Sequence, residues 1–383
     1  MTVHSRFGQP VFLFEVNGLG KYEGGEMQWA FDVVAAVFDR ASHVLMSPFD
    51  PSNRIYWLYL VSSAIAAFFV YGRIKARGEH ATATDAEAAS GSFLQFLFPK
   101  SVWKHPSAWL DLRYVFFHKI AEHFLLLGVM SFATALGYYF TSGGQSVTDM
   151  AEQEQLRTTG GWLLGCVYML VTLFLLDFVS WFIHLLQHKI PVLWQFHKVH
   201  HSAEVMHPIS NFREHPVDNL CYLAALGFTI GVLYAIAVRF LGFRPTMPEF
   251  FGIPILMFLF NFTAYNLRHS HVWLRWPGIW SVVFPSPAHH HVHHSCHPNH
   301  IDKNFAFMFP VWDLIFGTYF MPDDNRDVKF GVTEGDGEDL DGVLKLYWVP
   351  FRDVFRLFTA KKDVSASGSL KGEKESGKPE DIS

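Results

Sequence analysis

Apolar residues in this chain fall in long blocks separated by polar stretches, not in the short alternating runs of half-buried strands. Residues 55–72, 124–140, 162–186, 220–238 and 250–267 are nearly free of charge. A membrane-crossing helix needs roughly 20 apolar residues, with about 17 as the lower limit. Five such blocks do not fit a water-soluble core of 383 residues. The pattern therefore predicts an all-α, integral-membrane helical bundle of four or five spans. Ahead of the first block, 27–46 reads as an amphipathic helix. Residues 81–92, rich in Ala, Ser and Thr, read as a loop, and 141–161 as an acidic connection. Beyond the last block, 321–341 is polar and acidic, 344–358 mixes aromatics with basic residues as a membrane-surface helix does, and 361–383 is a charged tail expected to be disordered. Three regions follow: 1–160 with two spans, 161–320, and 321–383.

Composition narrows the function. A formal net charge of -5 gives no reason to expect nucleic-acid binding. Cys166, Cys221 and Cys296 lack paired or metal-type spacing, so neither a disulfide framework nor an iron–sulfur cluster is expected. No basic stretch followed by an apolar run opens the chain, so no cleaved signal peptide is expected. Arg73, Lys75, Arg77, Lys100, Lys104 and Arg113 follow the first block, and Lys189, Lys198 and Arg213 follow the third. Lys and Arg collect on the cytoplasmic side. The first span should then run inward, the second outward and the third inward, with the last two returning the chain to the cytoplasm near Arg268. The C-terminus is expected on that side as well.

Sixteen of the 22 histidines lie in 184–215 and 269–300. This topology brings both clusters to one membrane face. His184 and His188 stand four apart on a helix and can grip one metal. His197, His200 and His201 form HxxHH, and His290, His293 and His294 repeat it. His269 or His271 could add a ligand. Eight to ten imidazoles exceed what one ion accepts, whereas two ions about 3.5–4 Å apart would use them. Asp177, seven residues before His184 inside an apolar block, is an ionisable residue where one is costly. Its expected role is to orient a ligand imidazole; helix–helix hydrogen bonding is the alternative. His289, His291 and His297 could instead belong to a loop that collects metal adventitiously. Trp162, Trp181, Trp194, Trp273 and Trp276 fit an interfacial aromatic belt.

At these residues the chain resembles the fatty acid hydroxylase/sterol desaturase superfamily. The matching text is DFVSWFIHLLQHKIPVLWQFHKVHHSAE, NFREHP, NLRHSHVWL and PSPAHHHVHHSCHPNHIDKNFAFMFPVWDLIFGTYF, covering roughly 177–320. The resemblance implies a helical membrane bundle with a cytoplasmic, histidine-rich cap and a non-haem di-iron centre. It carries His184, His188, His197, His200, His201, His290, His293 and His294 as ligands, and sets His269 at the lone-histidine position between boxes. His271 stands where many relatives have Asn, and the roles of His207 and His215 stay open. The expected activity is O2-dependent hydroxylation, or desaturation, of a membrane lipid. No flavin, haem or iron–sulfur signature is present, so electrons would come from a separate ferredoxin, cytochrome or reductase. A membrane metal transporter or storage protein would place its ligands mid-span, and a non-catalytic relative would not need intact boxes.

Overall fold

The computed structural model describes residues 26–77, 91–147, 161–322, 328–333 and 339–371. Most of the 81–92 loop, the 148–160 part of the acidic connection, and 372–383 of the tail lie outside the described residues. The principal helices are α1 (Glu26–Leu45), α2 (Trp57–Arg77), α3 (Pro106–Leu126), α4 (Val129–Ser142), α5 (Trp162–Lys189), α6 (Pro191–His201), α7 (Pro216–Leu241), α8 (Ile255–Phe262), α9 (Pro287–His293) and α10 (Val343–Lys371). Proline stands at the first position of α3, α6, α7 and α9. There its missing N–H has no intrahelical partner to lose. Helix α10 runs to Lys371, well into the stretch expected to be disordered.

Four segments are long and apolar enough to cross a membrane: Trp57–Ala76, Pro106–Ser142, Trp162–Lys189 and Pro216–Leu241. Their outer faces carry bare apolar side chains such as Phe132, Leu163 and Phe240. Such extended apolar exposure marks a lipid-facing surface. Pro106–Ser142 is α3 and α4 joined at Gly128, whose φ of 82° breaks the helix.

The fifth apolar block does not form a fifth long helix. A two-stranded hairpin, β1 (Glu249–Phe250) with β2 (Ile253–Pro254), opens it and turns through the positive φ of Phe251 and Gly252. The 8-residue α8 follows, and Ala264, at φ 57°, ends it. The chain still returns to the histidine-bearing end, through this short helix and a 3-10 turn at Tyr265–Leu267.

Helices α4 and α7 run side by side in the same direction, since Met130 meets Gly227, Thr134 meets Gly231 and Tyr138 meets Tyr234. Glycine lets the backbones touch. A Cβ on Gly231 would sit 2.0 Å from the Thr134 carbonyl oxygen, and one on Gly227 2.6 Å from that of Met130. Helix α5 runs against α7, with Gln187 beside Asp218 at one end and Gly165 beside Thr246 at the other. At about 1.5 Å per residue α5 is roughly 42 Å long. That exceeds the hydrocarbon thickness of about 30 Å, so its last two turns, carrying His184 and His188, can emerge from the bundle.

Trp181 and Trp273 are buried, which takes them out of the expected aromatic belt; Trp162 is exposed. Helix α10 buries Leu346 and Val349 against the bundle and leaves the apolar Leu344, Trp348, Phe351 and Phe355 exposed, as a helix lying on a membrane surface does.

Candidate metal centre

The extended residue Ile190 separates α5 from α6, and Pro191 restarts the helix. The corner folds α6 back, so its histidines face those at the end of α5. Two groups of imidazoles result, and each could hold a metal ion. His184, His188, His197, His201 and His293 form one; His200, His269, His290 and His294 form the other. Within each, the candidate ligand nitrogens lie within 4.8 Å of one another. The groups abut, with the rings of His201 and His294 stacked at 4.5 Å. The first and last histidines of each HxxHH box share a group, and the middle one crosses to the other. His200 thus leaves the α6 pair, and His293 leaves the pair of His290 and His294.

Nine of the ten histidines expected as ligands are brought together. His271 is not among them: its Nε2 lies 2.7 Å from the Phe96 carbonyl oxygen. His207 contacts Asp111, His215 caps α7, and His300 contacts Ser295.

Outer contacts set the chemistry of the inner nitrogens. The Nδ1 atoms of His184, His293 and His200 face the carbonyls of Phe305 (3.0 Å), Lys303 (2.9 Å) and Arg213 (3.3 Å). Those of His188 and His197 face the carboxylates of Asp302 (3.4 Å) and Asp218 (3.2 Å). His269 Nδ1 faces Ser210 Oγ, whose own hydroxyl donates to the His207 carbonyl. These acceptors draw the proton to Nδ1 in six rings and leave Nε2 as an inward lone pair. Burial, reinforced by neighbouring imidazoles, holds His197, His201, His269, His290, His293 and His294 well below the ordinary histidine range. Burial likewise brings His200 down to about 4. The rings are neutral near pH 7, the form that binds metal.

This donor set fits a cation in each group. The buried His293 Nε2 has no hydrogen-bond partner. Pairs of Nε2 atoms approach to 3.2 Å (His188 with His201) and 2.8 Å (His269 with His290). Two ligands held at about 2.0–2.1 Å from one ion have such a separation.

Asp177 was expected directly on a ligand imidazole. Its carboxylate instead accepts the N–H groups of Met308 (2.7 Å), Phe309 (3.0 Å) and the Trp312 indole (3.0 Å). Asp313 does the same for Phe305, Ala306 and the Trp181 indole. Together they pin 305–309 onto α5, and the Phe305 carbonyl in turn receives His184 Nδ1. Asp177 acts on the site through this loop.

Sequence reasoning missed the residues that do touch the clustered histidines. Asp218 lies in the first turn of α7 and also accepts from Gln187 Nε2 at 3.0 Å. Asp302 adopts φ 60°, a conformation that Asp tolerates better than most side chains, and pairs with Lys189 at 2.5 Å. Arg213, buried, donates to Asp111, Ser107 and Ser202 while its carbonyl receives His200. Asp218 and Asp302 stand beside histidine text and could have been suspected; Asp111, 102 residues from Arg213, carried no signal.

A cavity of 440 Å³ opens on the centre. His184, His197, His200, His269 and His290 form part of its wall, and apolar residues of α5 and α7, including Leu173, Leu176, Leu223 and Leu226, form another. Arg268 also lines it, boxed by Phe260, Tyr265 and Phe307 and donating to the Phe307 and Ala306 carbonyls.

A bundle of long apolar helices with two abutting histidine clusters beside a cavity defines a multi-pass membrane fold with a candidate metal centre. Residues 169–318 match the fatty acid hydroxylase family model, a match that supports the likeness to the fatty acid hydroxylase/sterol desaturase superfamily. It is 29% identical over 153 residues to alkylglycerol monooxygenase of Danio rerio, a match covering 40% of this chain and 30% of that protein. It is 26% identical over 219 residues to ornithine lipid hydroxylase OlsE of Rhizobium tropici, covering 57% and 61%. Human cholesterol 25-hydroxylase is 32% identical over 162 residues, covering 41% and 52%. The chain spans about a third of the length of the alkylglycerol monooxygenases it matches. No solved structure matches it.

Proposed function

We propose that this chain is an O2-dependent lipid oxygenase that hydroxylates a C–H bond beside a pair of iron ions. The observation that carries this is the cavity: imidazoles form part of its wall, and apolar residues of two long apolar helices form another part. The relatives are named for lipid hydroxylation or monooxygenation, which supports the same reading. His184, His188, His197, His201 and His293 would hold one ion, and His200, His269, His290 and His294 the other. Imidazole suits iron. Bound there, the ions would supply reductive activation of O2.

The remaining work falls to the chain. Carbonyls and carboxylates behind the rings orient the lone pairs. The loop pinned by Asp177 and Asp313 closes one side of the cavity. The apolar wall excludes water and lays the acyl portion of a substrate alongside the histidines. The balanced reaction is R–H plus O2, two electrons and two protons giving R–OH and water, with the electrons drawn from a separate ferredoxin, cytochrome or reductase. The positive-inside pattern supports a cytoplasmic site and C-terminus, where such a donor could dock. On this reading 161–320 is the catalytic unit, 1–160 a membrane region that completes it, and 321–383 an interfacial appendage.

The test is purification after expression with iron, followed by metal analysis and lipidomics. About two irons per chain and a lipid product heavier by one oxygen are expected. Loss of both in His200→Ala and His293→Ala would follow. A chain that holds iron but leaves every membrane lipid unchanged when given O2 and a reductant would refute it.

A further inference from the structure

Helix α6 gives His197 and His201 to the first histidine group and His200 to the second. The residues interleaved with them, Phe196, Lys198 and Val199, pack on α10. Phe196 meets Phe351 at 5.1 Å between ring centroids. Val199, fully buried, joins Leu346 and Val349 of α10 and Leu110 and Tyr114 of α3 in one apolar cluster. Lys198 is 1% exposed and donates to the Asp353 carboxylate at 2.9 Å. Helix α10 is itself anchored at two further points. The Tyr347 hydroxyl lies 3.1 Å from His118 Nδ1, and the Tyr347 carbonyl receives His215 Nε2 at 3.1 Å. All of α10 lies beyond the family match at 169–318.

We infer that α10 is a clamp that positions the α6 histidines, with Lys198 and Asp353 as its positioning residues. The inference rests on the two histidine groups holding metal and goes beyond that reading. A protonated lysine has no lone pair to offer a metal, and its charge beside His197 repels a cation. Burying that charge is costly unless it is paired. Asp353 supplies the partner: burial opposes its own charge, but Arg352 and Lys198 outweigh it and hold the carboxyl below its ordinary range. Helix α6 is 11 residues long and cut from α5 at the extended Ile190. A helix so short owes its stability to what packs on it, and its rotation about its own axis is set the same way. Leu346, Val349 and Phe351 supply apolar packing, which tolerates rotation. The ion pair fixes one angle. Because α6 serves both histidine groups, a loosened clamp opens both.

The test loads the full chain in nanodiscs with Co2+, an imidazole-binding probe whose visible absorption reports its ligands. Release to excess EDTA is timed for wild type, Lys198→Met, Asp353→Asn and the double variant. Arg352 donates to the same carboxylate at 2.9 Å, so Lys198→Met leaves Asp353 paired and the variant able to fold. Each single variant is expected to release cobalt about tenfold faster, the factor that one hydrogen bond to a charged group is worth, with an altered absorption band. The double variant should be no faster than the faster single one, since the two residues act through one contact. Gly231→Ala, which strains the α4–α7 contact instead, controls for general destabilisation: it should lower the thermal midpoint and keep wild-type release. Wild-type release in both single variants, additive losses in the double variant, or release that follows the thermal midpoint through Gly231→Ala overturns the inference. A wild-type chain that takes up no cobalt refutes the metal centre itself, and the clamp with it.

Discussion

Replacing Asp218 separates a carboxylate that tunes a ligand from one that merely packs. Its two oxygens accept from His197 Nδ1 (3.2 Å) and Gln187 Nε2 (3.0 Å), and it is 4% exposed. Both contacts fit a carboxylate that acts as acceptor, with His197 carrying its proton on Nδ1. Asp218→Asn keeps the shape and offers one oxygen and one amide donor. Gln187 can absorb the change, because its Oε1 is buried and unpartnered: a flip of the Gln187 amide presents that oxygen to the new Nδ2. What is lost is the charge behind His197. A hydrogen bond to a charged group contributes about 1.5–3 kcal/mol and a neutral one about 0.5–1.5. The difference of about 1–1.5 kcal/mol is roughly tenfold in affinity for the first ion. Asp218→Ala is different in kind, since it strands two buried donors at about 1–3 kcal/mol each, and much of that cost falls on folding. The assay is competition for iron against a chelator of known affinity, with folded protein quantified by gel filtration. Asp218→Asn should fold normally and release one ion about tenfold more readily. Adding Gln187→Leu, which removes the compliant partner, should deepen the loss. Wild-type retention in both Asp218→Asn and the double variant would refute the view that the carboxylate sets the basicity of His197.

Asp177→Asn should lose one of three loop hydrogen bonds and lower the thermal midpoint, with iron affinity falling less than in Asp218→Asn; the two are compared by the same chelator competition. Gly231→Ala drives a methyl into the Thr134 carbonyl at 2.0 Å and should cost about 1–3 kcal/mol or more by overpacking, read as a lower midpoint and yield, whereas Gly72→Ala, with open space around it, should be silent. The metal-free protein should lose stability as pH falls from about 6.5 toward 4. Burial lowers the folded pKa of His200 and His291 to about 4 and of His289 to about 3, so the unfolded chain takes up more protons across that window. A midpoint flat from pH 7 to 4.5 would contradict it.

Helices α2, α5 and α7 were legible because an uninterrupted apolar run carries its own length; α3 was not, since only its last residues fall in the 124–140 block, which Gly128 divides. The block at 250–267 was not, because apolarity reports burial and cannot distinguish a span from a hairpin, a short helix and a turn. Those breaks come from the positive φ of Phe251 and Ala264, and neither residue advertises it. The histidine spacing placed nearly all of the candidate ligands. His271 misled because two histidines near one loop look alike in sequence, while only His269 faces inward. Asp177 was singled out for its position, yet its partners, 131–135 residues away, had no signature in the chain. The ion pair of Arg54 with Glu214, 160 residues apart, was invisible, since the two meet only in the folded state.

Each HxxHH box gives two imidazoles to one cluster and lends its middle member to the other. His200 and His201 are neighbours in sequence and belong to different clusters, and so do His293 and His294. Neither half of the centre can therefore be assembled alone. Fraying α6 or α9 by one turn would open both coordination spheres together, and docking either helix primes both. Loading should behave as a single event in a titration, with little one-ion species at half saturation. A twist of either helix that moves one cluster's imidazoles moves the other's as well, so the two clusters share one mechanical balance.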